Sequence, residues 1–214
     1  MTVTPSVPNE IVPNERVPNE SAPNESAPNG IAPTYTAEID GGRIAVYDDL
    51  LPNDELLKLW SILNRAGFTR TEIARPDTAE HRHWATEIPV DALPSMPFLA
   101  PTLAAAAAFA PATAYRAYRS YVNVAHYGDM LFTHSDCLPG AGEITALWYV
   151  CDRWDHEWGG ETVFLDANHD VRAAVSPKPG RLALFDGALL HAGRPPSRIC
   201  YVPRYTLALK LERI

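Results

Sequence analysis

The stretch Pro177–Arg198, "PKPGRLALFDGALLHAGRPPSR", reads as one buried strand between two turns. Gly180 allows a tight turn, Leu182 to Phe185 are continuously apolar, and Asp186-Gly187 turn the chain again. His191 follows just past that strand. Working outward, the same texture recurs in "AYRSYVNVAHY" (117–127), "EITALWYV" (143–150), "ETVFL" (161–165) and "YTLALKLERI" (205–214). Each is short, rich in aromatic and β-branched residues, and bounded by Gly, Pro, Asp or Asn. Upstream, "GRIAVYDDLLP" (42–52) is a strand running into a turn. "NDELLKLWSILNRAG" (53–67) has helical spacing, with Asn53 or Asp54 as N-cap and Gly67 as stop. "PFLAPTLAAAAAFA" (97–110) is a second helix, closed by Pro111. Helices followed by many short strands predict an α+β domain, mainly β, folded as a sandwich or barrel with N-terminal supporting helices.

Two organisational units are expected. Residues 1–36 hold a five-residue repeat with proline at 8, 13, 18, 23, 28 and 33, and no aromatic before Tyr35. Such a tail cannot bury enough surface to fold alone and is expected to be disordered or polyproline-like. Residues 37–214 form the domain. The chain has 214 residues, 46% hydrophobic and 21% charged, with a net charge of -8. That balance disfavours nucleic acid and anionic membranes as partners. No run is long enough to span a bilayer. Three cysteines without a C-x-x-C spacing point to a reducing cytosol and a cytoplasmic protein. The oligomeric state is not legible.

Candidate chemistry starts from "LFTHSDC" (131–137). If a strand continues through it, His134 and Asp136 share one face, since side chains at i and i+2 point the same way. Two histidines and a carboxylate on one side of a metal suit a non-haem Fe(II) oxygenase. Among the other histidines, His191 is the best third ligand. His156 and His169 sit in polar loops, and His81 and His83 fit a substrate-facing role better than a metal. "RYTLALKL" (204–211) puts Arg204 and Thr206 on one strand face, where a guanidinium can grip a carboxylate and a hydroxyl can add a bond.

The pieces "THSD", "WGGETVF", "PKPGRLALFDGALLHAGRPPSR" and "RYTLALKL", in this order, resemble the 2-oxoglutarate- and Fe(II)-dependent oxygenases, in the branch typified by the prolyl 4-hydroxylase catalytic domain. The resemblance covers roughly residues 115–212, and "IAVYDDLLPNDELLKLW" looks like the lead-in of that branch. It implies a double-stranded β-helix (a jelly-roll or cupin-like barrel), with Fe(II) held by His134, Asp136 and His191. Arg204 would pair with the distal carboxylate of 2-oxoglutarate, and Thr206 and Tyr149 would add contacts to it. Many members have a tyrosine upstream of the metal histidine. Here Asn123, His126 or Tyr127 takes that place, and the register stays open. The resemblance also implies O2 as cosubstrate, ascorbate as a helper, and hydroxylation of a C–H bond with release of succinate and CO2.

"PDTAEHRHWATEIPVD" (76–91) is expected to cover the pocket. Arg75, His81, His83, Trp84 and Arg194 are substrate-binding candidates. The expected substrate is a small molecule, a free amino acid or a natural-product intermediate, with a peptidyl substrate as alternative. A zinc-dependent hydrolase would use the same metal set but leave Arg204 and Thr206 without a role. A non-catalytic carboxylate-binding barrel would leave the metal set unexplained.

Overall fold

The computed structural model describes residues 30–214. The repeat therefore lies almost wholly outside the described residues. The elements are β1 (Tyr35–Ile39), β2 (Gly42–Tyr47), α1 (Asn53–Leu63), β3 (Thr69–Glu72), β4 (His83–Glu87), α2 (Leu99–Phe109), β5 (Tyr115–Ala125), β6 (Ile144–Val150), β7 (Thr162–Leu165), β8 (Val171–Val175), β9 (Leu182–Asp186), β10 (Leu190–Gly193) and β11 (Arg204–Arg213). β1 takes in Tyr35 and Thr36, which the sequence reading put in the tail.

The strands form an eight-stranded sheet, in the order β1-β2-β9-β6-β11-β5-β4-β3, and a three-stranded sheet, β10-β7-β8. All named pairings are antiparallel. The two sheets and their crossing connections make the double-stranded β-helix. β11 sits at the centre of the large sheet, paired with β5 on one side and β6 on the other. Its first eight residues are all buried, because both of its faces are covered.

The period of two then divides its side chains. Tyr205, Leu207, Leu209 and Leu211 join the outer core under the helices, with Ala146, Trp148 and Val150 of β6 and Leu182 and Leu184 of β9. Arg204, Thr206, Ala208 and Lys210 point the other way, into a cavity inside the barrel. A second apolar cluster, including Ile44, Val46, Phe164, Val175 and Phe185, fills the space between the sheets.

α1 and α2 cover the outer face through Leu56, Leu63, Ala105, Ala106 and Phe109. α2 is tied to the sheet by Trp148 Nε1, which donates to Thr102 Oγ1 at 2.8 Å, and Thr102 Oγ1 donates on to the Phe98 carbonyl at 2.6 Å. The expected boundaries of α1 need correction. Pro52 occupies the N-cap and no side chain caps the helix there, so neither Asn53 nor Asp54 does so. The C-cap is Asn64, three residues before Gly67. Pro52 suits that start because its fixed φ and missing N–H cost nothing at a helix entry.

A candidate metal centre beside a buried arginine

The continuous strand that was the condition for His134 and Asp136 sharing a face does not form. β5 ends at Ala125, and His134 makes only an isolated bridge to His191. That bridge is reciprocal: His134 N–H donates to the His191 carbonyl and His191 N–H to the His134 carbonyl, both at 2.9 Å. Two residues on, the Asp136 N–H donates to the Gly187 carbonyl at 2.7 Å. The turn after β9 thus holds the Asp136 backbone. Gly187 keeps that approach close, since a Cβ would meet Cys137 Sγ at 3.0 Å and the Glu143 carbonyl oxygen at 3.2 Å. His191 is carried by β10, opposite Phe164 of β7.

Three side chains converge. His134 Nε2 lies 3.5 Å from Asp136 Oδ1, and His191 Nε2 lies 3.7 Å from Asp136 Oδ2. One donor atom from each falls within 4.8 Å of the others. Each imidazole also faces a backbone carbonyl through Nδ1: His134 to Phe132 and His191 to Leu189, both at 2.9 Å. A carbonyl only accepts, so Nδ1 carries the proton and Nε2 keeps its lone pair for a cation. Burial pushes His191 down to about 4, which keeps it neutral near neutral pH. Phe185 stands edge-on to His191 at 4.8 Å between ring centres. Burial raises the Asp136 carboxyl, but His191, Lys210 and His134 together hold it well below the usual range.

Two neighbours of Asp136 were not singled out from sequence. Lys210 Nζ pairs with Asp136 Oδ2, and Thr145 Oγ1 donates to the same oxygen at 2.5 Å. Lys210 is 7% exposed and also donates to Thr145 Oγ1 at 3.3 Å. The signal was present: Lys210 continues the alternation 204, 206, 208, 210 on the inner face of β11.

Arg204 is 3% exposed. Its Nε donates to the Gly160 carbonyl at 2.5 Å, Nη2 to Thr162 Oγ1 at 3.0 Å, and Nη1 to Thr206 Oγ1 at 3.5 Å. The tight packing needs Gly160, which has φ of 82° and whose Cβ would meet Trp154 at 2.9 Å and Arg204 Cδ at 3.3 Å. Gly159 and Gly160 both have positive φ, which glycine adopts without strain. No ion pair among the described residues includes Arg204. Desolvation accordingly pushes its guanidinium below its ordinary value. A buried cation without a carboxylate, facing a cavity, is costly until an anion joins it.

The remaining candidates fall in different places. Asn123 lines the cavity with Arg204 and Thr206, and its Oδ1 is buried without a partner. Tyr127 is 66% exposed and His126 is exposed, and neither lines that cavity. Tyr149 lies outside the lining. Its hydroxyl donates to the Val175 carbonyl at 2.9 Å and sits 2.7 Å from Thr162 Oγ1, while its ring supports the Arg204 guanidinium at 5.4 Å. His83 lines the cavity, and His81 and Trp84 line an adjoining one. Arg194 lines neither. Arg75 donates through Nη1 to the Thr133 carbonyl and pairs with Asp77. The segment 76–91 is no separate cover: its second half is β4, in register with β5.

The sequence model of the 2OG-Fe(II) oxygenase superfamily matches residues 122–209. No curated protein sequence matches the chain. A prolyl-4-hydroxylase of Pseudomonas putida shares the fold with a TM-score of 0.58 and 15% identity, over 80% of this chain and 92% of that one. A prolyl hydroxylase from Trichoplax adhaerens, solved with a hypoxia inducible factor peptide fragment, gives 0.59 and 17%, over 79% and 83%. EctD from S. alaskensis with bound Fe gives 0.58 and 17%, over 79% and 72%. The segment that matches the superfamily's sequence model contains His134, Asp136, His191 and Arg204, and the chain shares the double-stranded β-helix fold of these solved oxygenases.

Proposed function

We propose that this protein is a dioxygenase that uses Fe(II), 2-oxoglutarate and O2 to hydroxylate an unactivated C–H bond of a small molecule. The observation that carries this is the buried Arg204 without an acidic partner, facing the cavity that also receives His134 and His191. A zinc hydrolase has no use for that cation. The donor set fits the metal: two imidazoles and one carboxylate on one side leave positions open for other ligands. When bound, iron and 2-oxoglutarate supply the oxidation, and the cosubstrate leaves as succinate and CO2.

The chain's own residues do the rest. His134, Asp136 and His191 hold the metal. Arg204 takes the distal carboxylate in a two-point grip, with Thr206 beside it. Thr162 and the Tyr149 ring hold Arg204 in place. Of the upstream candidates, we assign Asn123 to the cosubstrate, because its side chain lines the cavity and Oδ1 has no other partner.

Proteins alike in fold have been solved with both kinds of molecule: EctD with 2-oxoglutarate and 5-hydroxyectoine, and the Trichoplax enzyme with a peptide fragment. We favour a small molecule, because the adjoining cavity is only about 220 Å³. A peptidyl substrate is the second reading. Ascorbate is expected to sustain turnover by returning oxidised iron to Fe(II). A cytoplasmic location fits the three free thiols Cys137, Cys151 and Cys200.

Anaerobic calorimetry tests the core of the proposal. Fe(II) and 2-oxoglutarate should bind together, and a metabolite screen should find compounds that stimulate succinate release. Tight Zn²⁺ binding with no cosubstrate binding to the iron form would favour the hydrolase instead.

A further inference from the structure

A second cavity adjoins the metal cavity and shares His83 and Leu131 with it. Arg70 and Arg82 stand in its wall, in a chain with 26 acidic and 18 basic residues. Arg70 Nε donates to the Arg82 carbonyl at 3.2 Å, and its guanidinium lies 5.6 Å from the Trp84 ring centre. Arg82 Nε donates to the Ala79 carbonyl at 3.3 Å. Each arginine is thus oriented through Nε. Among the described residues no hydrogen bond or ion pair takes the terminal nitrogens of either.

Elsewhere the same region pairs its cations: Arg119 of β5 bridges Glu72 and Glu87 at the ends of β3 and β4. The acid of the second cavity, Asp129, accepts the His126 N–H at 2.7 Å and pairs with neither arginine. Two oriented guanidiniums around one concavity focus positive potential there and present fork-shaped donors suited to an oxyanion. His83 stands in the shared wall, 7% exposed, with Nε2 buried and unpartnered. The volume of about 220 Å³ lies below the ~300–1,000 Å³ of drug-sized sites.

We infer that this cavity is the substrate's anchoring subsite, and that the substrate is a small oxyanion, a carboxylate or a phosphate monoester, gripped by Arg70 and Arg82. A molecule held there extends past His83 toward His134 and His191, so the carbon to be oxidised lies on the side away from the anionic group. The inference rests on the dioxygenase reading and names its substrate class.

The test is a panel of free L-amino acids, short hydroxy and dicarboxylic acids and sugar phosphates, each carboxylate set against its primary amide. The readouts are succinate formation by the iron-loaded enzyme and calorimetry under anaerobic conditions. Acids that stimulate turnover, with their amides inactive, are expected. Phosphate esters acting in place of carboxylates would support the site and identify the other oxyanion source. Arg70→Gln and Arg82→Gln should each raise KM about tenfold or more, as for a lost charge-assisted hydrogen bond, and should raise KM more than they lower kcat. Arg70→Lys, which keeps the charge, should recover part of that loss. Amides as effective as acids, unchanged KM in both glutamine variants, or no binding of any anion in the panel overturns the inference. Iron and 2-oxoglutarate binding by the unmodified protein is scored separately. If that binding holds while the panel fails, the substrate class is wrong and the enzyme class stands.

Discussion

Arg204 and Lys210 lie on the same face of one strand and make opposite electrostatic demands. Arg204 has no carboxylate, so its replacement is read in ligand affinity. Arg204→Lys should weaken 2-oxoglutarate binding by about 1.5–3 kcal/mol while changing iron binding little, because lysine keeps charge but loses the planar fork. Anaerobic calorimetry with each ligand in turn checks this, and an unchanged cosubstrate affinity would return Arg204 to a structural role. Lys210 already has its carboxylate, Asp136. Lys210→Met leaves that buried carboxylate short of a cation, a change worth about 3–5 kcal/mol in the metal-free protein. A bound divalent ion restores the charge balance. The variant should therefore be much less stable than the parent without metal and close to it with Fe(II), measured by urea denaturation in both states. Equal losses in the two states would show that Lys210 matters only for packing. At this scale the sequence was legible wherever chemistry and period coincided. The sequence paired His134 and Asp136 with His191, and Arg204 with Thr206, and the structure brings the first three within 4.8 Å of one another and sets the other two in the wall of the same cavity; Lys210, on the same period as Arg204, was passed over for want of an expected role. Tyr149 and Tyr127 were named from the resemblance, which does not reveal whether a hydroxyl is already bonded or a ring already in solvent.

The strands read from sequence were those whose buried runs are long or aromatic, such as β6, β9 and β11. β1, β3, β4, β8 and β10 were missed for a physical reason. β3 has no buried residue, β1 and β8 have one each, β4 buries only a histidine and an alanine, and β10 is only four residues long, so no alternation of large apolar residues marks them. Their pairing comes from neighbours in space: β4 from β5, and β10 from β7. The His134 bridge is the extreme case, a single-residue contact made by chains 57 positions apart. Joints of this kind also set acid sensitivity. The Asp48 carboxylate, just past β2, receives Arg181 Nε at 2.8 Å and Nη2 at 2.9 Å from just before β9, and Lys178 at 3.2 Å. The Arg181 hydrogen bond is the largest cause that holds Asp48 below its ordinary 3.8. A carboxyl depressed in the folded state stabilises the fold above its unfolded value, and that stability is lost as pH falls through the folded value. Asp48→Asn should thus be less stable than the parent at pH 7, and the difference should shrink as the pH falls below 3.8 and on through the folded value. Urea unfolding across that range checks the sign, and a constant difference between the two proteins would mean the asparagine acts through shape and not charge.

The whole barrel is held by two sheets whose shared interior is only partly apolar. Phe164, Phe185 and Val175 fill one part of it, and the other is lined by Arg204, Thr206, Lys210, His134 and His191. The groups of that polar part come from both sheets: His191 from the small one, Arg204 and Lys210 from the large one. A metal bound by His191 and a dicarboxylate bound by Arg204 would therefore cross-link the sheets through their centre. Binding to the native state alone stabilises it by mass action, about 2.7 kcal/mol for a ligand at a hundred times its dissociation constant. For a chain of this size that corresponds to roughly 5–10 °C in Tm. Anaerobic thermal scans should show an increment for Fe(II) and a further one for 2-oxoglutarate added with it. Succinate, which has the distal carboxylate but lacks the keto group, should give a smaller second increment. In Arg204→Lys the metal increment should persist and the cosubstrate increment should shrink. A metal increment that vanishes together with the cosubstrate increment in that variant would mean that Arg204 shapes the metal centre itself, and the division of the cavity into a metal end and an anion end would have to be abandoned.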